Sequence, residues 1–152
     1  MIRIAITDRQ KSHKLDKTTL RRVARDVLQH EGVFSADISL VFVDDAEMQA
    51  LNRRHLEHDY PTDVLCFLMD ESDADNARYI NAEVIASTET AVREAPGYDW
   101  HADAELTLYV VHGLLHACGY DDLDPHSKTR MRRAERRALE RHGLEPRYRG
   151  RQ

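Results

Sequence analysis

The chain has 152 residues, of which 41% are hydrophobic and 32% charged, and a formal net charge of −5. This length supports one domain with a substantial core and is short for two, while the longest apolar runs, ISLVFV and LTLYVV, are too short to cross a bilayer. No signal peptide is expected at the N-terminus. Two cysteines without a Cys-x-x-Cys pair suggest neither a disulfide framework nor a thiolate zinc site. A cytoplasmic protein with no membrane association is therefore expected.

Hydrophobic periodicity and turn residues predict a mixture of strands and helices. In chain order they predict a strand over 2–7, a helix over 14–32, a strand over 36–43, a helix over 44–56, a turn over 58–63, a strand over 64–69, an acidic loop over 70–79, a strand over 80–87 and helices over 88–95, 102–119 and 124–143. The last eight residues are expected to fray. Because the order is not a regular β-α-β alternation, we predict a single α+β domain spanning 1–152, with about five helices on a small mixed sheet of about four strands.

Charge is distributed unevenly along the chain. Residues 128–151 contain ten Lys or Arg and three acids, a net charge of +7, so the remainder of the chain carries −12. A basic segment of this kind can bind phosphate groups. It can equally be the solvated face of a helix, and charge alone leaves both interpretations open.

The stretch HGLLHACGYDD, residues 112–122, carries the clearest chemical signal. On a helix, His112 and His116 lie on one face, where two imidazole nitrogens can share a cation. Gly119 can adopt the left-handed conformation that ends a helix, so that the chain folds back and Asp122 reaches the histidines. The spacing matches the extended zinc-peptidase pattern His-Glu-x-x-His-x-x-Gly-x-x-His, with aspartate as the last ligand. We predict one zinc ion per chain, bound by His112, His116 and Asp122 at the end of a long central helix.

Other interpretations of this stretch depend on its neighbours. The histidines could pack within a buried helix while Asp122 caps the next one, but Asp124 before Pro125 already supplies a cap, which favours the metal. Gly113 occupies the position of the peptidase glutamate that activates water, so peptide hydrolysis is not predicted. His126 is a fallback ligand, although Pro125 is expected to begin a new helix.

Three segments resemble the YbeY family of bacterial endoribonucleases. HGLLHACGYDD is similar to the family signature His-Gly-x-Leu-His-x-x-Gly-Tyr-Asp-His, and LNRRHLEHDYPTDVLCF (51–67) to its Leu-Asn and Pro-Thr-Asp-Val-Leu-Ser-Phe block. INAEVIASTETAVREA (80–95) resembles the stretch between them. The resemblance implies an α+β fold with one zinc ion held by His112, His116 and residue 122. It also implies a metal-dependent, single-strand-specific endoribonuclease that matures the 3′ end of 16S ribosomal RNA and acts in ribosome quality control, with ribosomal RNA and the small ribosomal subunit as partners.

Three positions depart from the family pattern. Asp122 replaces the third histidine, and its negative charge predicts a less acidic zinc-bound water. Leu56 stands where the family has an arginine that serves the substrate phosphate, and Cys66 replaces a serine, a small change for a buried side chain. Basic side chains can hold the phosphates that flank the scissile bond, and the candidate substrate-binding residues of this kind are Arg53, Arg54 and His58.

The sequence identifies no general base, so no catalytic residue is predicted. Asp121 is expected to orient a metal-bound histidine and Asp63 to cap a turn. The alternative interpretation of Arg53 and Arg54 is a solvated helix end. Two other functions stay open: a zinc hydrolase of another substrate, and a non-catalytic ribosome-binding factor in which the metal staples the helix end and the basic C-terminal helix binds the ribosome.

Overall fold

The computed structural model describes residues 1–55, 63–73, 77–148 and 151. Within these ranges the four strands are β1 (Ile2–Asp8), β2 (Val33–Val43), β3 (Val64–Ser72) and β4 (Arg78–Ser87). The five α-helices are α1 (Lys17–His30), α2 (Asp45–His55), α3 (Thr88–Glu94), α4 (Ala102–Ala117) and α5 (Pro125–Glu140), and a 3-10 helix at Ala95–Tyr98 follows α3. The predicted α+β fold with a small mixed sheet is confirmed.

The strands form one sheet in the order β1-β2-β4-β3. β1 and β4 both pair with β2 in parallel, and β3 pairs with β4 in antiparallel fashion. Parallel pairs need crossover connections, which explains why α1 separates β1 from β2 and why α2 and β3 separate β2 from β4. β3 is consequently an edge strand.

The acidic loop predicted over 70–79 is β-strand at both of its ends. β3 continues to Ser72 and β4 begins at Arg78, with Glu71 opposite Ile80 and Ser72 opposite Tyr79. The polar residues of this hairpin have low strand propensity, but pairing with the neighbouring strand overrides that preference. The prediction of a loop was therefore wrong at both of its ends.

Helices cover both faces of the sheet. On one face, α1 and α4 pack against side chains such as Phe42 and Val84 in the main core. On the other, Met48 of α2 packs with Val41 and Ile85 in a smaller core. α4 lies between the sheet, α1, α3 and α5, and 12 of its 16 residues are buried. No helix of the described ranges has the length and apolar character needed to span a bilayer.

Gly113 allows α4 to approach the sheet closely. A Cβ atom at this position would lie 2.6 Å from Val84 Cγ1 and 3.4 Å from Val64 Cγ2. A side chain here would therefore displace the helix or the strand. The position that carries the catalytic glutamate in zinc peptidases is a packing position in this protein.

The chain reverses at Gly119, which has a φ of 108°. The amide of Gly119 donates to the His116 carbonyl at 3.0 Å, and the amide of Tyr120 donates to the Leu115 carbonyl at 3.0 Å. The next helix is capped by Asp124, whose carboxylate accepts from the Ser127 amide at 2.8 Å. Both predictions, the glycine stop and the Asp124 cap, are confirmed.

The expected fraying of the C-terminal segment is wrong for its described part. The Tyr148 hydroxyl donates to Glu135 Oε1 at 2.8 Å. The Arg151 guanidinium donates to both carboxylate oxygens of Glu105, at 2.7 and 2.6 Å. Glu105 and Glu135 are both fully buried, and a buried charge requires such partners. Tyr148 and Arg151 are held by acids 13 and 46 positions earlier in the chain.

Candidate metal centre

His112, His116 and Asp122 converge where α4 ends. The Nε2 atoms of the two histidines are 3.1 Å apart. The Asp122 carboxylate oxygens lie 3.8 Å from Nε2 of His112 and 3.9 Å from Nε2 of His116. One donor atom from each side chain lies within 4.8 Å of the other two. The structure thus brings together the three residues that the sequence predicts as ligands.

This donor set fits a zinc ion. Zinc–ligand bonds of 2.0–2.1 Å in a tetrahedral arrangement place neighbouring donors about 3.3 Å apart. The two histidine nitrogens, 3.1 Å apart, are close to that separation. The Asp122 oxygens lie at least 3.8 Å from them, so Asp122 would have to rotate toward the histidines to complete the set. His126 is exposed in the first turn of α5 and is not part of the cluster. Three protein donors leave a fourth position for substrate or water, which is the pattern of catalytic rather than structural zinc sites.

Glu135 of α5 holds His112 in the orientation that a metal requires. Nδ1 of His112 donates to Glu135 Oε2 at 2.6 Å, because a carboxylate can only accept. With the Nδ1 proton held by Glu135, Nε2 is the ring nitrogen left for a metal, and this atom faces the cluster. Burial raises the pKa of Glu135, but the hydrogen bond from His112 and the charge of Arg132 lower it by more, so the carboxylate stays ionised.

The sequence predicted that Asp121 orients a metal-bound histidine, but the acid that contacts His112 is Glu135. Asp121 accepts a hydrogen bond from the Leu123 amide at 3.2 Å and stabilises the turn. Glu135 could have been found from its position, because it lies among Met131, Ala134 and Ala138 on the buried face of α5. An acid on an apolar helix face requires a partner.

His116 is in the protonation state that a ligand needs. Burial and the neighbouring His112 lower the pKa of His116 below its ordinary value. The ring is consequently neutral at physiological pH, and a neutral imidazole is the form that binds zinc.

The cluster lies between two cavities. One of about 220 Å³ adjoins His112 and Asp122 and is also lined by Asp63, Tyr109, Arg132 and Arg151. The other, of about 340 Å³, runs along the edge strand β3 past Cys66, His112 and His116. Burial raises the pKa of the Cys66 thiol to about 11, so the thiol is protonated at neutral pH and offers no nucleophile.

Carboxyl groups outnumber guanidinium groups around the first cavity. Arg132 is paired with Glu135 at 3.0 Å and Arg151 with Glu105 at 2.6 Å, so neither arginine carries an uncompensated charge. The acids among the described residues that line this cavity or pair with its arginines are Asp63, Asp122, Glu105 and Glu135. The excess of acids favours a cation at this end of α4.

The predicted substrate-binding residues lie elsewhere or outside the described ranges. Arg53 and Arg54 are exposed near the C-terminus of α2, a helix that packs on the opposite face of the sheet from α4. Neither is among the described residues that line the two cavities. His58 and Leu56 lie outside the described residues. Contact of Arg53, Arg54 and His58 with substrate stays a prediction.

The cations that do line the first cavity, Arg132 and Arg151, were not selected by sequence. Arg132 belongs to a run of similar arginines on α5, and nothing local distinguishes it. Arg151 lies in the segment that was expected to fray. Its ion pair with Glu105 joins residues 46 positions apart. Only the tertiary structure brings these two guanidinium groups to the cavity.

The chain is similar in sequence to the proteins of one known family. The family described as Endoribonuclease YbeY matches residues 5–143. A protein named Endoribonuclease YbeY from Salinibacter ruber is 39% identical over 128 residues, which cover 82% of each chain. A protein of the same name from Pelotomaculum thermopropionicum is 40% identical over 129 residues, which cover 82% of this chain and 85% of the relative.

A solved structure shares the fold. The solution structure of a Thermotoga maritima protein covers 94% of this chain, and 92% of that protein is covered in turn. The TM-score is 0.60 at 21% sequence identity. The match over most of the chain, together with relatives at about 40% identity, establishes that the chain belongs to the YbeY family of endoribonucleases.

Proposed function

We propose that this chain is a zinc-dependent endoribonuclease that cleaves single-stranded RNA. Its substrate is the precursor of 16S ribosomal RNA at the 3′ end, within the small ribosomal subunit, and it acts in cytoplasmic ribosome quality control. The observation that carries this proposal is the convergence of His112, His116 and Asp122 beside a polar cavity, in a chain whose relatives are named endoribonucleases.

Three side chains are proposed to bind the metal, and a fourth orients one of them. His112 and His116 offer their Nε2 atoms, and Asp122 offers a carboxylate oxygen. Glu135 keeps the proton of His112 on Nδ1. When zinc is bound, it supplies a Lewis acid that polarises a phosphoryl oxygen and acidifies water. Asp122 adds a negative charge that a third histidine would not, and the ion is therefore expected to be a weaker Lewis acid than with three histidines.

Arg132 is the proposed substitute for the arginine that Leu56 replaces. It lines the cavity next to His112 and Asp122, and its side chain keeps 24% of its surface exposed. Arg151 lines the same cavity but is only 8% exposed and is held by Glu105. This position and exposure support Arg132 as the residue that contacts the phosphate. Arg53, Arg54 and His58 remain candidates for contacts with RNA farther from the reacting bond.

The test is metal content and cleavage of a 16S precursor, measured together. His116→Ala is expected to lose most of the bound zinc and the cleavage with it, because two donors rarely hold zinc in water. The matched control is His126→Ala, which removes an exposed histidine outside the cluster and should retain both. Near-stoichiometric zinc in His116→Ala, or full cleavage by wild-type protein stripped of metal, would overturn the proposal.

A further inference from the structure

A second basic surface adjoins the candidate metal centre. A groove of about 480 Å³ runs along α5 and is lined mainly by Lys128, Arg132, Arg133, Arg136 and Tyr148. We call it the α5 groove. Its cations recur three and four residues apart and therefore lie on one face of the helix. At a rise of 1.5 Å per residue, Lys128 and Arg136 are about 12 Å apart along the helix axis.

Not all basic residues of α5 face this groove. Arg130 lies over the Tyr120 ring at 5.6 Å from its centroid, and the charge of Arg137 also acts on Tyr120. These two arginines belong to a different side of the helix. The basic residues of α5 are thus divided between two faces, and one of them is the groove.

Tyr148 organises part of the α5 groove. The Arg132 guanidinium lies 4.5 Å from the centre of the Tyr148 ring, and that of Arg136 lies 5.7 Å from it. The Tyr148 hydroxyl is anchored to the buried Glu135, so the ring that carries both cations is fixed. Such stacking holds a guanidinium in place while leaving its edge for an anion.

The remaining cations have little acidic compensation. Arg136 is 3.9 Å from Glu140, whose side chain is 55% exposed, and a pair of this kind is weak. Across the described ranges, neither Lys128 nor Arg133 has an acidic partner within ion-pair distance. The α5 groove is a positive surface on a chain with a net charge of −5, and its complement is a polyanion.

The α5 groove is continuous with the candidate metal centre. Arg132 lines both the groove and the cavity beside His112. Glu135 joins the same two places, since it accepts from Tyr148 on one side and from His112 on the other. A strand with one phosphate at the metal would therefore meet the α5 groove as its next surface.

We propose that the α5 groove binds the single-stranded RNA that flanks the scissile bond, through phosphate contacts of Lys128, Arg133 and Arg136. This inference rests on the proposed function for the position of the scissile bond. Continuity with the metal centre favours an RNA strand over an acidic protein, since only the substrate has to pass both places.

The experiment compares two double variants with equal loss of charge. Arg133→Gln with Arg136→Gln removes two groove cations, and Arg130→Gln with Arg137→Gln removes two exposed arginines from the other side of α5. Binding of a labelled single-stranded oligoribonucleotide is measured by fluorescence anisotropy at several salt concentrations, without magnesium or added zinc, so that cleavage is not needed for the readout. The groove variant is expected to bind about tenfold more weakly, with a salt slope shallower by about 1.4, from about 0.7 per lost phosphate contact.

The control variant should bind within about twofold of wild type. Equal weakening in both variants would show that the α5 groove does not bind the RNA. A groove variant that binds the oligoribonucleotide normally but loses ribosome association would also overturn the proposal, since the partner of the groove would then be a protein. Arg133→Lys with Arg136→Lys keeps the charges but not the stacked guanidinium of Arg136. It should recover most of the salt slope and of the affinity that the glutamine variant loses, which separates lost charge from a damaged fold. Groove-dependent binding by a wild-type protein that never cleaves RNA would support the groove and refute the proposed function.

Discussion

Replacing Glu135 by glutamine should weaken metal binding without altering any proposed ligand. One carboxylate oxygen of Glu135 accepts from Nδ1 of His112 at 2.6 Å, and the other accepts from Arg132 at 3.0 Å and Tyr148 at 2.8 Å. Both oxygens therefore face donors. A glutamine has one acceptor oxygen and one amide that only donates, so either orientation brings two donors together at one end.

Each orientation has a cost. If the amide faces His112, the ring is driven to the tautomer with the proton on Nε2, the atom that faces the cluster, and the lone pair for zinc is lost. If the amide faces Arg132 and Tyr148, the acceptor of two donors disappears at a buried position. Loss of an orienting partner of this kind lowers metal affinity by about 10- to 100-fold, which corresponds to about 1.4 to 2.8 kcal/mol.

The assay is competition for zinc against a chelator of known affinity. Glu140→Gln is the matched control, because Glu140 lies on the same helix, is exposed and pairs only weakly with Arg136. We expect the control to bind zinc with the affinity of wild type. We expect Glu135→Gln to bind zinc about 10- to 100-fold more weakly. Equal zinc affinities for the two variants would refute the orienting function of Glu135.

Three further predictions concern the packing, the ligand set and acid stability. Gly113→Ala should lower the free energy of unfolding, measured in urea, by about 1–3 kcal/mol, because the added methyl meets Val84 at 2.6 Å. The control is Gly97→Ala, where nothing lies within 4 Å of a Cβ, and it should lower the free energy of unfolding much less. Equal losses in the two variants would contradict the close approach of α4 to the sheet. Asp122→His should keep or tighten zinc binding, and complete loss of zinc would show that the carboxylate has another function. Burial raises the pKa of Asp45, but three side-chain hydrogen bonds outweigh it and leave the pKa below its ordinary value. The stability from ionised Asp45 is therefore present above about pH 4 and lost as pH falls through the lowered pKa, so Asp45→Asn should flatten the acid limb of the stability profile, and an unchanged limb would refute this assignment.

The sequence by itself determined the features that depend on local rules. Two histidines four residues apart share a helix face because of helical periodicity. Gly119 ends α4 because it can adopt positive φ, and Asp124 begins α5 because its carboxylate caps the first turn. These three effects act within a few residues, and together they were enough to place Asp122 near His112 and His116.

Only the tertiary structure decided what surrounds those three side chains. Glu135 reaches His112 because α5 packs on α4, and the two residues are 23 positions apart. Arg151 reaches the cavity because the fully buried Glu105 requires a cation, 46 positions away. Hydrophobic periodicity identifies which face of a helix is buried, but not which polar group it meets there. That choice depends on how the helices pack, since a buried charge is stable only where the fold supplies its partner.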